Sequence, residues 1–268
     1  MWWRLIFISG LAAVGCAQKQ PVAEKSTAVQ SAEQLERKAN LAYSKGDAIT
    51  AAKDYQTASN VYQSLAMVNE FALAQISLAR IDSDDGRIVQ ALAHVNYFLR
   101  QAYQGAPISD STKLLANGRA AALYLQQQDL SSADASLASA EALCVPTCSA
   151  IAALETLRAN WYLASGNAAA AQAKADRAYA SATTAVDKAN ALRTLAQSRM
   201  ALGALDQATS DAKQALQTDQ TLGLAKRVIT DLDLLVSIYT KANNSQKANE
   251  YKELSHSAQM ALHQLSGK

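Results

Sequence analysis

Proline is nearly absent from this chain, with three in 268 residues, and glycine is held to ten. Few positions are therefore forced to break a helix. Aromatic residues make up only 6%. No stretch alternates Val, Ile or Thr with polar residues between turn signals, so strands are not expected. Neither sign of charge dominates: the formal net charge is +2, or +1 once Arg4 is removed with the leader. The basic residues form no stripe or run, which excludes nucleic acid as an expected partner. Histidine is scarce as well. His94 stands alone, and His256 and His263 share at most one solvated or partly buried helix face. No HExxH, GxSxG, haem-attachment or Gly-rich phosphate motif occurs, so neither a cofactor, a metal site nor enzyme activity is expected. "IDSDDGR", with Asp82, Asp84 and Asp85, lacks the closing Glu of a calcium loop and reads as acidic turn chemistry.

What is abundant is Ala, with Leu, Gln, Lys and Glu, a set that favours helix. Hydrophobic residues reach 50%, yet the longest apolar stretch, Leu5 to Val14, is too short to cross a bilayer. With Arg4 before it and small residues after it, that stretch reads as a secretory leader. "LAAVGC" resembles the lipobox of bacterial lipoproteins, although Ala13 stands where Leu is commoner. The resemblance implies cleavage before Cys16, acylation of Cys16, and attachment to a membrane through that lipid. Ala17, not Asp, follows Cys16, which by the same resemblance implies the outer membrane, facing the periplasm. A soluble secreted form, cut by ordinary signal peptidase, and an uncleaved anchor are the alternatives. Residues 1–15 are thus read as the leader. Residues 16–32, polar and holding Pro21, read as a lipidated cysteine and flexible tether. Residues 33–265 read as the folded body.

The body carries an internal repeat. Six turn signals recur: Gly46-Asp47, Gly86, Gln128-Asp129, Gly166-Asn167, Gly203 and Asn243-Asn244. Such residues cap helices and tolerate left-handed backbone. Before the turns stand Ala39, Ala79, Ala121, Ala159, Ala196 and Val236; after them stand Ala51, Ala91, Ala133, Ala171, Ala208 and Ala248. Seven residues further on come Ala58, Phe98, Ala140, Ala178, Ala215 and Ser255. Small residues in this register let two helix axes approach closely, and large neighbours such as Tyr55, Val95 and Leu137 fill the wedge beside them.

This pattern resembles the tetratricopeptide repeat (TPR). The resemblance implies an all-α, right-handed α-solenoid of about six helix-turn-helix units. The chain departs from the family at Val236 and Phe98, which are large where the pattern is small, and at Lys252, which is polar where it is large. The closing Pro is absent from every unit. The repeat spacing, 40, 42, 38, 37 and 40 residues from Ala51 onward, exceeds the family's ~34. The extra residues must lie between helix B of one unit and helix A of the next. The last helix, about 246–265, carries Ala248, Tyr251, Leu254, Ala258, Ala261 and Leu265 on one side, as an end cap would.

By the family's pattern, helix A lines a concave groove. Its candidate residues here are Asn40, Tyr43, Ile76, Arg80, Ala122, Leu125, Asn160, Leu163, Arg193, Gln197, Met200 and Ser237. The family's carboxylate clamp needs a basic residue four before an Asn. Glu36 precedes Asn40 and Thr156 precedes Asn160, so that clamp is not expected. The groove suits a peptide segment of a protein partner in the cell envelope, and the chain reads as a scaffold or assembly adaptor. A binder of a small molecule or glycan is the alternative. Cys144 and Cys148 in "LCVPTC" read as a structural disulfide if the chain is exported, with a redox or metal pair as the alternative.

Overall fold

The computed structural model describes residues 25–99, 107–145 and 148–266. The leader, Cys16 and Pro21 lie outside the described residues, as does Pro146. Within them the chain forms twelve α-helices: α1 (Thr27–Ser44), α2 (Ala48–Ser64), α3 (Val68–Asp84), α4 (Ile88–Leu99), α5 (Asp110–Gln126), α6 (Leu130–Leu143), α7 (Ile151–Ala164), α8 (Ala168–Ser181), α9 (Ala185–Ala201), α10 (Leu205–Thr221), α11 (Ala225–Lys241) and α12 (Ser245–Ser266). Consecutive pairs make six units. Helix α1 begins inside the stretch read as tether, because Ser26 caps it by accepting from the Val29 N–H at 3.3 Å.

The turn within each unit is three residues long, and its middle residue is left-handed: Gly46, Gly86, Gln128, Gly166, Gly203 and Asn243 all have positive φ. In the first, Gly46 N–H reaches Tyr43 O at 3.0 Å and Asp47 N–H reaches Ala42 O at 2.9 Å. These bonds satisfy carbonyls that the end of the helix leaves free. In four of the six turns the third residue, Asp47, Asp129, Asn167 or Asn244, caps the next helix with its side chain. Asp47, Asp129 and Asn167 accept from the N–H of Thr50, Ser132 and Ala170, each at 3.0 Å.

Every small residue of the eighteen-position register is buried except the outsized Val236. Phe98, large where the register expects a small side chain, makes an edge-to-face contact with Phe71 at 5.2 Å and closes a core with Ile108. The extra repeat length is absorbed in two ways. Between α2 and α3, and between α10 and α11, the helices are 17 residues long and the same tight turn recurs at Ala66 and Gly223. Between α4 and α5, and between α6 and α7, the connection itself is longer. Cys144 and Cys148 form a disulfide across the second of these, with Cα atoms 5.2 Å apart.

The A helices α3, α5, α7, α9 and α11 touch one another in succession, whereas the B helices do not touch one another to any comparable degree. The A layer is therefore the inside of the curve. The curvature is strong enough to bring the ends together. Lys226 on α11 lies 3.7 Å from Asp84 at the end of α3. Leu262 of α12 sits so close to Gly46 that a Cβ there would lie 2.8 Å from its Cδ1. The last helix is thus only partly the simple cap its pattern suggests. Tyr251 stacks on Tyr239 at 5.5 Å and Ala258 meets the core, but Leu254 and Ala261 face outward. Its far end meets the first unit.

Candidate functional site

Closure turns the concave face into a central cavity of about 650 Å³. One wall is apolar: Leu73 and Ile76 of α3, Leu114 and Leu115 of α5, and Leu154 and Leu157 of α7. Leu73 and Leu115 are 38% and 45% exposed, large apolar side chains left open to the cavity. Polar groups fill the rest, with Asn40, Asn160, Asn190, Thr194 and Gln197 among them. Several are already engaged: Asn40 accepts from Tyr55 Oη at 2.7 Å, and Asn160 accepts from Thr194 Oγ1 at 3.1 Å. Glu36 also lines the cavity; burial pushes its carboxyl up, and it accepts from Tyr62 Oη at 3.1 Å.

Four arginines line the same space: Arg80, Arg119, Arg193 and Arg227. Arg80 lies over the Tyr43 ring, 4.0 Å from its centroid. Tyr43 itself belongs to a smaller adjoining cavity of about 320 Å³ at the closure. It donates to Asp84, and its hydroxyl is pushed up to about 12, first by burial and then by that carboxylate. Asp84 is thus absorbed by Tyr43 and Lys226, while Asp82 pairs with Arg87 and His94 and Asp85 pairs with Arg87.

Asn40, Ile76, Arg80, Ala122, Asn160, Arg193 and Gln197 all face the central cavity, as the repeat register implies. Leu125, Leu163, Met200 and Ser237 do not border it, because they sit in the last turns of their helices or beyond its edge. Met200 instead packs into the core of the last two units. Arg193 requires a different assignment. Its Nε donates to Asp231 Oδ1 at 2.6 Å, its Nη2 donates to Asp219, and its Nη1 donates to Asn190 at 3.0 Å. Both aspartates are completely buried. Arg193 is therefore the counter-charge that joins α9, α10 and α11, and its donors are not free for a partner. Arg119, Arg227, Leu73 and Leu115 were not among the sequence candidates. Only the register position of Leu115, equivalent to Leu73 in the unit before, pointed towards this wall.

No family model and no curated relative matches the sequence. Solved structures do match. A thermophilic TPR protein of Thermus thermophilus aligns over 79% of this chain and 98% of its own, with 21% identity and a TM-score of 0.55. PilW, a widely conserved type IV pilus biogenesis factor, aligns over 84% of this chain and 92% of its own, with 20% identity and a TM-score of 0.55. BtubC from P. vanneervenii aligns over 89% and 93%, with 16% identity and a TM-score of 0.55. At these identities the likeness concerns the fold. With the twelve described helices and their buried small-residue register, it makes this chain an all-helical solenoid of TPR-like units.

Proposed function

We propose that the chain is a protein-interaction scaffold of the cell envelope, held at the outer membrane by a lipid on Cys16 and facing the periplasm. The observation that carries the interaction reading is the cavity wall of Leu73, Ile76, Leu115 and Leu157, apolar surface that the fold leaves uncovered on its concave side. Such a wall suits the apolar side chains of a partner segment, in the way helical grooves take a peptide. The TPR-like fold, shared with PilW, a type IV pilus biogenesis factor, supports the same reading. Assembly of an envelope machine is its most specific form. The reading assigns no catalysis to this chain. The anchor and its location rest on the lipobox residues alone.

The test of the interaction is affinity capture from crosslinked envelopes with wild type and with Leu73→Asp/Leu115→Asp. The scaffold reading expects one discrete protein held by wild type and lost by the variant. Equal recovery from both, or no protein from either, refutes it. Arg193→Glu is unsuited to this purpose, since it would place a third carboxylate in the buried cluster of Asp219 and Asp231. The second reading, a small-molecule or glycan binder, is favoured by the cavity volume of about 650 Å³, within the range of small-ligand sites. Among the described residues Tyr55 is the one aromatic that lines it, which offers little stacking surface to a sugar.

A further inference from the structure

Among the described residues, six arginines are half-buried or more: Arg80, Arg119, Arg158, Arg193, Arg199 and Arg227. Three of them are matched by two carboxylates each. Arg158 pairs with Asp134 and Glu141, Arg193 with Asp219 and Asp231, and Arg199 with Asp176 and Asp211. The other three, Arg80, Arg119 and Arg227, make no ion pair with any described residue. All three line the central cavity. The Nε atoms of Arg80 and Arg119 are buried and have no hydrogen-bond partner among the described residues. Buried donors are normally satisfied, and each exception needs a reason. Arg199 also leaves its Nε without a partner, but it stands beside two carboxylates. What sets Arg80, Arg119 and Arg227 apart is that no described carboxylate pairs with them, and three such guanidiniums around one cavity point to a missing anion.

We propose that Arg80, Arg119 and Arg227 form a binding site for a small, multiply charged oxyanion, a phosphate or polycarboxylate, which clamps the solenoid closed. The three side chains come from α3, α5 and α11, so they belong to units two, three and six. Arg80 and Arg119 stand on neighbouring helices, and Arg227 joins them at the same cavity only because the ends of the chain meet. An anion shared between them ties the last unit to the second and third, beside the Asp84–Lys226 contact at 3.7 Å. The guanidinium fork presents several N–H donors in the geometry that phosphate and carboxylate oxygens accept. Arg80 is held for this role by its position over Tyr43, which occupies its face, while the only hydrogen-bond partner near its edge among the described residues is the neutral Tyr55 hydroxyl, which supplies no counter-charge. Arg227 is oriented by its 3.2 Å bond from Nη1 to Asn190.

Nearby acids compensate the cluster only in part. Asp84 is shared with Tyr43 and Lys226, and Glu36 accepts from Tyr62; neither makes an ion pair with the three arginines. Burial, and after it the charge of Arg80, holds the Arg119 guanidinium below its ordinary value; Tyr43 and Asp84 oppose that shift without reversing it, and Arg227 adds to it. The free cluster therefore repels itself, and an anion relieves that repulsion. The site shares the central cavity with the wall proposed to take a partner segment, but its test reads anion binding and stability alone, so either reading can fail without the other.

The test is a thermal-unfolding titration of the full chain with inorganic phosphate and, separately, with citrate, at ionic strength held constant with sodium chloride. Calorimetric titration of the same two probes gives the dissociation constants. Wild type should gain roughly 5–10 °C at about a hundredfold excess over its dissociation constant. Arg119→Gln and Arg227→Gln should each weaken binding at least about tenfold. Without the anion, Arg119→Gln should unfold no earlier than wild type, since a repulsive charge is gone. Arg227→Gln keeps the test open if Arg119→Gln fails to fold. Phosphate responding while citrate does not assigns a phosphate, and the reverse a polycarboxylate. No response beyond the chloride control, or the same response in wild type and both variants, overturns the site.

Discussion

Replacing Arg193 by glutamine removes the counter-charge from two carboxylates that are wholly shielded from water. The Asp219 and Asp231 side chains have no exposed surface, and the Arg193 side chain itself keeps only 13%. Breaking one partner out of a buried ion network costs about 3–5 kcal/mol, because the remaining charge is left without compensation. In a chain of this size each kcal/mol moves the midpoint by about 2–4 °C, so Tm at neutral pH should fall by roughly 6–20 °C. The loss should begin in the last two units, where α9, α10 and α11 meet, since repeats unfold by neighbour interactions.

The sign of the pH dependence follows from Asp231. Burial pushes its carboxyl up to about 6, and Arg193 opposes that rise. A folded value above the unfolded one of 3.8 means that the folded state binds the proton more tightly. The ionised carboxylate therefore lowers stability above the folded value, and the penalty fades as pH falls from about 6 towards 4. Without Arg193 the opposing influence disappears, and the window of relief moves upward. Differential scanning calorimetry of wild type and Arg193→Gln at about pH 8 and about pH 5.5 would read this. The gap between the two proteins should narrow at the lower pH, and Asp231→Asn should restore part of it at the higher. A midpoint within about 2 °C of wild type at pH 8, or a gap that does not shrink on acidification, would refute the reasoning.

The closure is tested by a pair of glycine substitutions with similar backbone strain. Gly46 and Gly166 have φ of +85° and +81°, but a Cβ at Gly46 meets Leu262 at 2.8 Å whereas one at Gly166 meets nothing within 4 Å. Gly46→Ala should cost more than Gly166→Ala by about 0.5–1 kcal/mol in urea unfolding, and Gly46→Leu, which a rotation of Leu262 cannot accommodate, should exceed Gly166→Leu by more still; equal costs for both pairs would count against the contact between the ends. Cys148→Ser, or reduction, should cost at most about 2 kcal/mol, because the disulfide closes a loop with a sequence separation of only 4. A loss well beyond that would show that Cys144 and Cys148 do more than pin α6 to α7. Cys16→Ser should abolish metabolic labelling with a fatty acid and move the protein out of the membrane fraction. Unchanged attachment would remove the lipid anchor from the proposal.

Much of the fold was legible because its determinants are local. A left-handed turn residue needs Gly, Asn or a tolerated substitute, and a close helix crossing needs a small side chain, so both write themselves into the sequence at a fixed spacing. The turn at Ala66 was not legible because alanine carries no turn signature, and the turn at Gly223 because it lies between two units, where the register leaves open whether helices or loops take up the extra residues. The early start of α1 had its signal in Ser26, a good cap, but the polar stretch around it looked like tether. In the groove, Asn40, Ile76, Arg80 and Asn160 followed from register alone. The role of Arg193 did not, since its aspartates lie 38 and 26 residues away, on two other helices.

By itself the sequence determined that this chain is helical, that its helices pair, and where each pair turns. Those properties depend on contacts between residues close along the chain. Only the tertiary structure decided that the solenoid closes, because closure sums a small rotation at every unit boundary over six units, and no single boundary reveals the total. The matching of buried charge was decided at the same level. Arg193 met its acids and Arg80, Arg119 and Arg227 did not, a difference set by which helices the accumulated curvature brought face to face.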